Sequence, residues 1–138
     1  MKVSEKLRRG NVMAATCPAR EVLQHVTSRR GILALIALES GMQRFSELRR
    51  KINGVSERML AQTLQCLESD GLVDRVAYDV VPPHVEYSLT PLGREAAEKV
   101  RLLADWIEDN LPRISQAREE RQGARAKQAH PVPARASQ

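Results

Sequence analysis

Aromatic residues are scarce, with one Phe, two Tyr and one Trp in 138 residues. Recognition of RNA or single strands leans on aromatic side chains that stack on bases, so this chain is poorly supplied for it, and its core must be aliphatic. Cysteine is also rare. Cys17 and Cys66 stand 49 positions apart, which offers neither a disulfide framework nor the paired spacing of a zinc site, and each is read as a free thiol. His25, His84 and His130 are scattered, and no Cys, His and carboxylate set has ligand spacing, so neither a metal nor a cofactor is expected. Long apolar runs are missing too: GILALIALESG is interrupted by Glu39 and Gly41, and MKVSEKLRRG is followed by no apolar export segment. A cytoplasmic protein without a membrane partner is expected. There is no Gly-rich phosphate loop and no Ser, His and carboxylate set, which leaves little basis for an enzyme.

What is present is one domain's worth of chain with an ordinary 42% of hydrophobic residues and a net charge of +5. The charge is unevenly placed. Arg44, Arg49, Arg50, Lys51 and Arg58 face only Glu47 and Glu57, whereas residues 66–110 hold four basic and ten acidic side chains. An acidic partner is therefore expected to meet the 44–58 stretch. Residues 1–16 read as a flexible basic arm, residues 17–117 as the folded domain, and residues 118–138 as a disordered basic tail, since QGARAKQAHPVPARASQ has no apolar periodicity with which to offset its ordering entropy.

Within the domain, Cys17-Pro18 suits a helix start, and a second, strongly apolar helix from about Ser28 is stopped near Gly41. Ser46 is read as the cap of a short helix carrying Phe45, Leu48 and Ile52 on one side, and Asn53-Gly54 supplies a sharp turn. Ser56 then caps a helix in which Leu60, Leu64 and Leu67 mark the buried side and Arg58, Gln62, Gln65 and Ser69 the opposite one. Asp70-Gly71 ends it. LVDRVAY and VEYSL follow as two strands around VVPPH, and Thr90-Pro91 opens a last helix with Leu92, Ala96, Val100, Leu103 and Ile107 in register, widened by Leu102 and Trp106. Pro112 is expected to end that helix.

Helix, turn, helix and hairpin in this order form a winged helix-turn-helix, a mainly α fold with a small β-hairpin, which presents one helix to the major groove of double-stranded DNA. Arg58, Gln62 and Gln65 are candidates to read bases, because Arg pairs with guanine edges and Gln with adenine edges. The alternative for each is a solvated helix face. Ser56, Arg49, Arg50 and His84 are candidate contacts to the DNA backbone. Cys17, at a helix N-terminus and near Arg20, has a physical case for a reactive thiolate; its alternative is a small packed residue. Cys66 lies inside its helix and is read as inert. The apolar stripe on the last helix is wider than one intramolecular contact needs, so a homodimer is expected.

Taken together, CPAREVL, RFSELRR, GVSERMLAQTLQCLESDGLVDR, VPPHVEYSLTPLG and Trp106 resemble the HxlR-type family of bacterial winged-helix regulators over about residues 17–110. The resemblance implies a homodimer joined through the first and last helices, here Val22, Val100, Leu103, Trp106 and Ile107, acting as a repressor on an inverted-repeat operator. It also implies redox or electrophile sensing at Cys17, with a small electrophile or oxidant as effector. Two departures stand out. Arg29-Arg30 replaces the family's Lys-Trp pair, and His84 occupies the place of a basic residue after the wing's two prolines. Two other classes remain open: a protein-interaction adaptor on a winged-helix fold, for which the basic stretch around Arg49 has no use, and a Cys17-dependent thiol enzyme.

Overall fold

A computed structural model describes residues 8–129; the expectations placed on residues 1–7 and 130–138, His130 and Arg135 among them, lie outside the described residues. The chain divides into two compact units, up to Leu102 and from Leu103 onward.

In the first unit, α1 (Pro18–Thr27) starts on Cys17, with Pro18 in its first turn, where a missing N–H costs nothing. Helix α2 (Arg29–Leu38) starts on Ser28, whose Oγ accepts from Gly31 N at 3.0 Å. Close packing of α2 on α1 depends on Gly31, since a Cβ there would overlap the His25 carbonyl. Strand β1 (Gln43–Arg44) precedes α3 (Phe45–Lys51), and Gly54, at φ +83°, makes the turn into α4 (Glu57–Ser69). The wing is β2 (Val73–Tyr78) and β3 (His84–Leu89), and α5 (Pro91–Asp109) follows. The antiparallel sheet has the order β1-β3-β2, with Gln43 opposite Tyr87 and Val73 opposite Leu89. The fold is a winged helix-turn-helix, mostly helical with a small sheet.

Leu35 and Leu38 of α2, Leu48 of α3, Leu60, Leu64 and Leu67 of α4, and Val73 are fully buried in one aliphatic core. Spacing of four and three residues on α4 places its leucines on one side, as the sequence pattern requires. Tyr87 and Leu89 of β3 and Ala97 and Val100 of α5 complete this core.

Several expectations are corrected. The cap of α3 is Arg44 rather than Ser46, because the Glu47 carboxylate accepts from the Arg44 N–H at 2.8 Å. His84 belongs to a strand and not to the wing loop. The N-terminal arm is structured from residue 11, where Ala14 N–H donates to Asn11 O and Arg20 Nε donates to Val12 O at 3.2 Å. Val100, expected at a dimer interface, is buried among its own chain's side chains at 6% exposure.

In the second unit, Pro112 does not simply end a helix; it lies in the first turn of α6 (Leu111–Ala129), which follows Asn110. Asn110 bridges the break, its backbone N–H and its Nδ2 both donating to Trp106 O. Residues 118–129 were expected to be disordered and are helical. Their Ala, Arg, Gln, Glu and Lys content favours helix locally, and the lack of apolar periodicity predicts only the absence of a buried face. Accordingly, every side chain over residues 115–128 is exposed.

Candidate nucleic-acid interface

Helix α4 presents the site. Its N-terminus is held by Ser56, whose Oγ accepts from Met59 N at 3.2 Å, and Glu57 places a carboxylate at the positive end of the helix. With the three leucines turned inward, Arg58, Gln62 and Gln65 are all exposed on the opposite side. They form a row, one above the other, with no side-chain bond among the described residues that would have to break before a base edge could be met. Ser56 is exposed beside them, and its hydroxyl uses only a lone pair for the cap.

Arg49 Nη1 donates to Glu57 Oε1 at 3.1 Å, which ties α3 to α4 across the turn. Both groups are well exposed, so the pair contributes little to stability and can be exchanged for a phosphate. Arg50 is exposed at the same cleft, of about 510 Å³, which Ser46, Asn53 and Gly54 also line. His84 is differently placed. Its Nε2 lies 3.3 Å from Glu86 Oε2 and its ring stacks on Tyr78 at 4.8 Å, so a ring nitrogen already faces a carboxylate of its own strand. The same carboxylate, by hydrogen bond and by charge, holds the Tyr78 phenol above its usual range.

One further residue belongs to this face and was not singled out from the sequence. Arg75 of β2 is exposed and lines a cleft with Ala61, Gln65, Glu68 and Tyr87, between the outward side of α4 and the wing. The available signal was its position, since it is an isolated cation in the acidic 66–110 stretch.

Cys17 is half-buried at the N-cap of α1. The Asn11 N–H donates to its Sγ at 3.4 Å, and this donor first, then the Ala19 amide, lowers the thiol below its ordinary value. Arg20, expected to lend charge to it, turns its Nε to Val12 O instead. Cys66 is half-buried within α4. Val22 and Leu23 of α1 are exposed, as are Leu103, Trp106 and Ile107 of α5, Trp106 at 56%.

The HxlR-like helix-turn-helix family profile matches residues 25–115 of the chain, spanning α1's last turn, the reading helix, the wing and α5. The chain belongs to the HxlR-like family. The HTH-type transcriptional regulator YtfH of Escherichia coli (strain K12) is 63% identical over 121 residues, covering 88% of this chain and 96% of YtfH. The solved structure of ytfH from Salmonella typhimurium is 64% identical and superposes with a TM-score of 0.78 over 80% of this chain and 99% of its own. The redox regulator HypR in its reduced form is 34% identical, with a TM-score of 0.65 over 72% of this chain and 98% of its own. This HxlR-like chain is a helix-turn-helix transcriptional regulator and not an enzyme. Arg30, in the first turn of α2, has its Nε buried without a hydrogen-bond partner among the described residues. No helix among the described residues is long and apolar enough to cross a membrane.

Proposed function

We propose that this HxlR-like regulator is a cytoplasmic, homodimeric repressor that binds an inverted-repeat operator in double-stranded DNA and loosens when Cys17 reacts with an oxidant or electrophile. The observation that carries the DNA-reading half is the exposed row Arg58, Gln62 and Gln65, opposite Leu60, Leu64 and Leu67. Arg49, Arg50 and Ser56 contact phosphates on either side of that row and fix its register. The dimer covers the exposed side chains Val22, Leu103, Trp106 and Ile107, and sets the two reading helices about one DNA turn, ~34–36 Å, apart. The thiol half rests on the amides at Cys17 and on the likeness to HypR, which is named a redox regulator.

The test starts from duplexes that the purified protein enriches from random-sequence DNA. An inverted repeat should emerge, its binding should weaken with diamide or a quinone, and Cys17→Ser should bind equally well and ignore the reagent. A pool without enrichment rejects sequence-specific reading, whereas enrichment with no response to either reagent rejects the thiol switch alone.

The basic character of α6 adds a second, sequence-independent expectation. Arg118, Arg121 and Arg125 fall within one sector of the helix and bear no acidic partner among the described residues. Replacing all three by Ala should flatten the dependence of log K on log salt by about 0.9 for each phosphate that is no longer neutralised, with little change in the selected sequence. An unaltered slope would mean that this stripe does not touch DNA.

A further inference from the structure

The C-terminal end of the reading helix carries the wrong charge for its position. Helix C-termini favour cations, yet α4 has no basic residue in its last turn and ends on Glu68 and Asp70. Asp70 is also mostly shielded, its side chain 14% exposed, in an αR conformation that continues the helix. A carboxylate in such a place needs a donor, and it receives one from 45 residues away: the Nδ1–H of His25 donates to Asp70 Oδ2 at 2.6 Å, with the imidazole 19% exposed. The other ring nitrogen lies 4.0 Å from Glu21 Oε1, a well-exposed carboxylate on the same face of α1.

His25 sits on α1, the helix that Cys17 caps and that packs along both α2 and α4. None of its residues is fully buried, and Val26 alone in its sequence packs against the core from a half-buried position. The directional contact between α1 and the reading helix is therefore the His25–Asp70 pair.

We propose that His25 and Asp70 form a clasp that positions the reading helix on the operator and makes its pose follow that of α1. Helix α1 has 10 residues, so His25 lies about two turns beyond the Cys17 cap, a short and stiff distance. At the other end, α4 has 13 residues and a length of about 20 Å, so a tilt of about 10° displaces its far end by roughly 3 Å. That is enough to take Arg58, at that far end, out of hydrogen-bond reach of a base. With the clasp closed, displacement of α1 at its Cys17 end is carried directly into α4; with it open, α1 stays joined to the core through its packing on α2 at Gly31, and its direct link to the end of α4 is lost. This coupling clause rests on the Cys17 reading above, while the positioning clause does not.

The experiment uses the full chain and the duplex that wild type enriches from random-sequence DNA. His25→Phe keeps a flat ring and removes the donor, His25→Asn keeps a donor at the Nδ1 position, and Asp70→Ala removes the acceptor. Specific affinity, affinity for an unrelated duplex at low salt, and the thermal midpoint are measured for each. His25→Phe and Asp70→Ala should each lose about fivefold or more in specific affinity, with unrelated-duplex binding held. The double variant should lose no more than either single one, and His25→Asn should recover most of the loss. A purely structural pair would lower the midpoint and leave the ratio of specific to unrelated affinity alone. That result, additive losses in the double variant, or failure of His25→Asn to recover, overturns positioning. For coupling, diamide should weaken wild type more than His25→Phe. Equal weakening overturns the coupling, and an unresponsive wild type removes the Cys17 reading and the coupling together while the affinity arms still decide positioning.

Discussion

Leu64→Ala is expected to cost about 2–5 kcal/mol and to lower the unfolding midpoint by about 10–20 °C, while its neighbour Gln65→Ala leaves the midpoint within a degree or two. The two residues are adjacent in sequence and opposite in what they face. Leu64 is fully buried in the core that α2, α3 and the wing share, so truncation removes its transfer free energy and leaves a cavity that a core of packed leucines fills poorly. Gln65 is exposed and its side chain makes no hydrogen bond among the described residues, so folding does not register its loss. Operator binding should sort the pair the other way. Measured well below its midpoint, Leu64→Ala should retain most of its affinity, whereas Gln65→Ala should lose about 1–3 kcal/mol, concentrated at one base-pair position. Calorimetry and binding to single-substitution operator variants read both halves. If Gln65→Ala weakened all sequences alike, the residue would be a backbone contact and not a base reader.

Gly93→Ala is the second large effect, and its sign runs against helix propensity. Alanine normally gains about 0.5–1 kcal/mol over glycine inside a helix. Gly93, however, lies in the first turn of α5 directly over the wing's root, where a Cβ would overlap the Leu72 carbonyl. That carbonyl cannot retreat cheaply, because it accepts the Thr90 N–H at 3.1 Å. Thr90 in turn caps α5 by accepting from Gly93 N–H at 2.9 Å and donates its hydroxyl proton to Gly71 O at 2.7 Å. One methyl group therefore strains a helix cap and both ends of the wing, and about 3 kcal/mol or more of destabilisation is expected by urea or thermal unfolding. Gly123→Ala is the control: a Cβ there meets nothing within 4 Å, and α6 should gain helicity. Equal effects at the two glycines would show that the overlap at Leu72 relaxes at little cost.

The sequence made some of this legible and hid the rest for physical reasons. The α4 leucines, the Ser56 and Thr90 caps and the Asn53-Gly54 turn were readable because each is a local pattern whose period or backbone requirement stands alone. The exposed row Arg58, Gln62 and Gln65 followed from the same period. Strand β1 was not readable: two residues carry no alternation, and its existence depends on β3 lying alongside. Val100 was misplaced because a stripe wider than one contact does not say which edge faces its own core; Ala97 and Gly93 supply the inner edge, and the larger side chains Leu103, Trp106 and Ile107 stay outside. Disorder was inferred for residues 118–129 from the lack of a buried face, which a strongly helix-forming composition does not need. The His25–Asp70 pair spans 45 residues, and neither partner lies in a recognisable spacing.

The two residues of β1 fix how the molecule can answer a signal. Gln43 and Arg44 are hydrogen-bonded in register to Tyr87 and Glu86, and the next residue begins α3. Gln43 is buried, its Nε2 anchored to Ala37 O and Ser40 Oγ at the end of α2. The wing and the helix-turn-helix thus behave as the two jaws of a caliper locked at one opening. Such an instrument keeps its opening when α1 moves it: whatever tilts the reading helix carries the wing with it, to or away from what both grip.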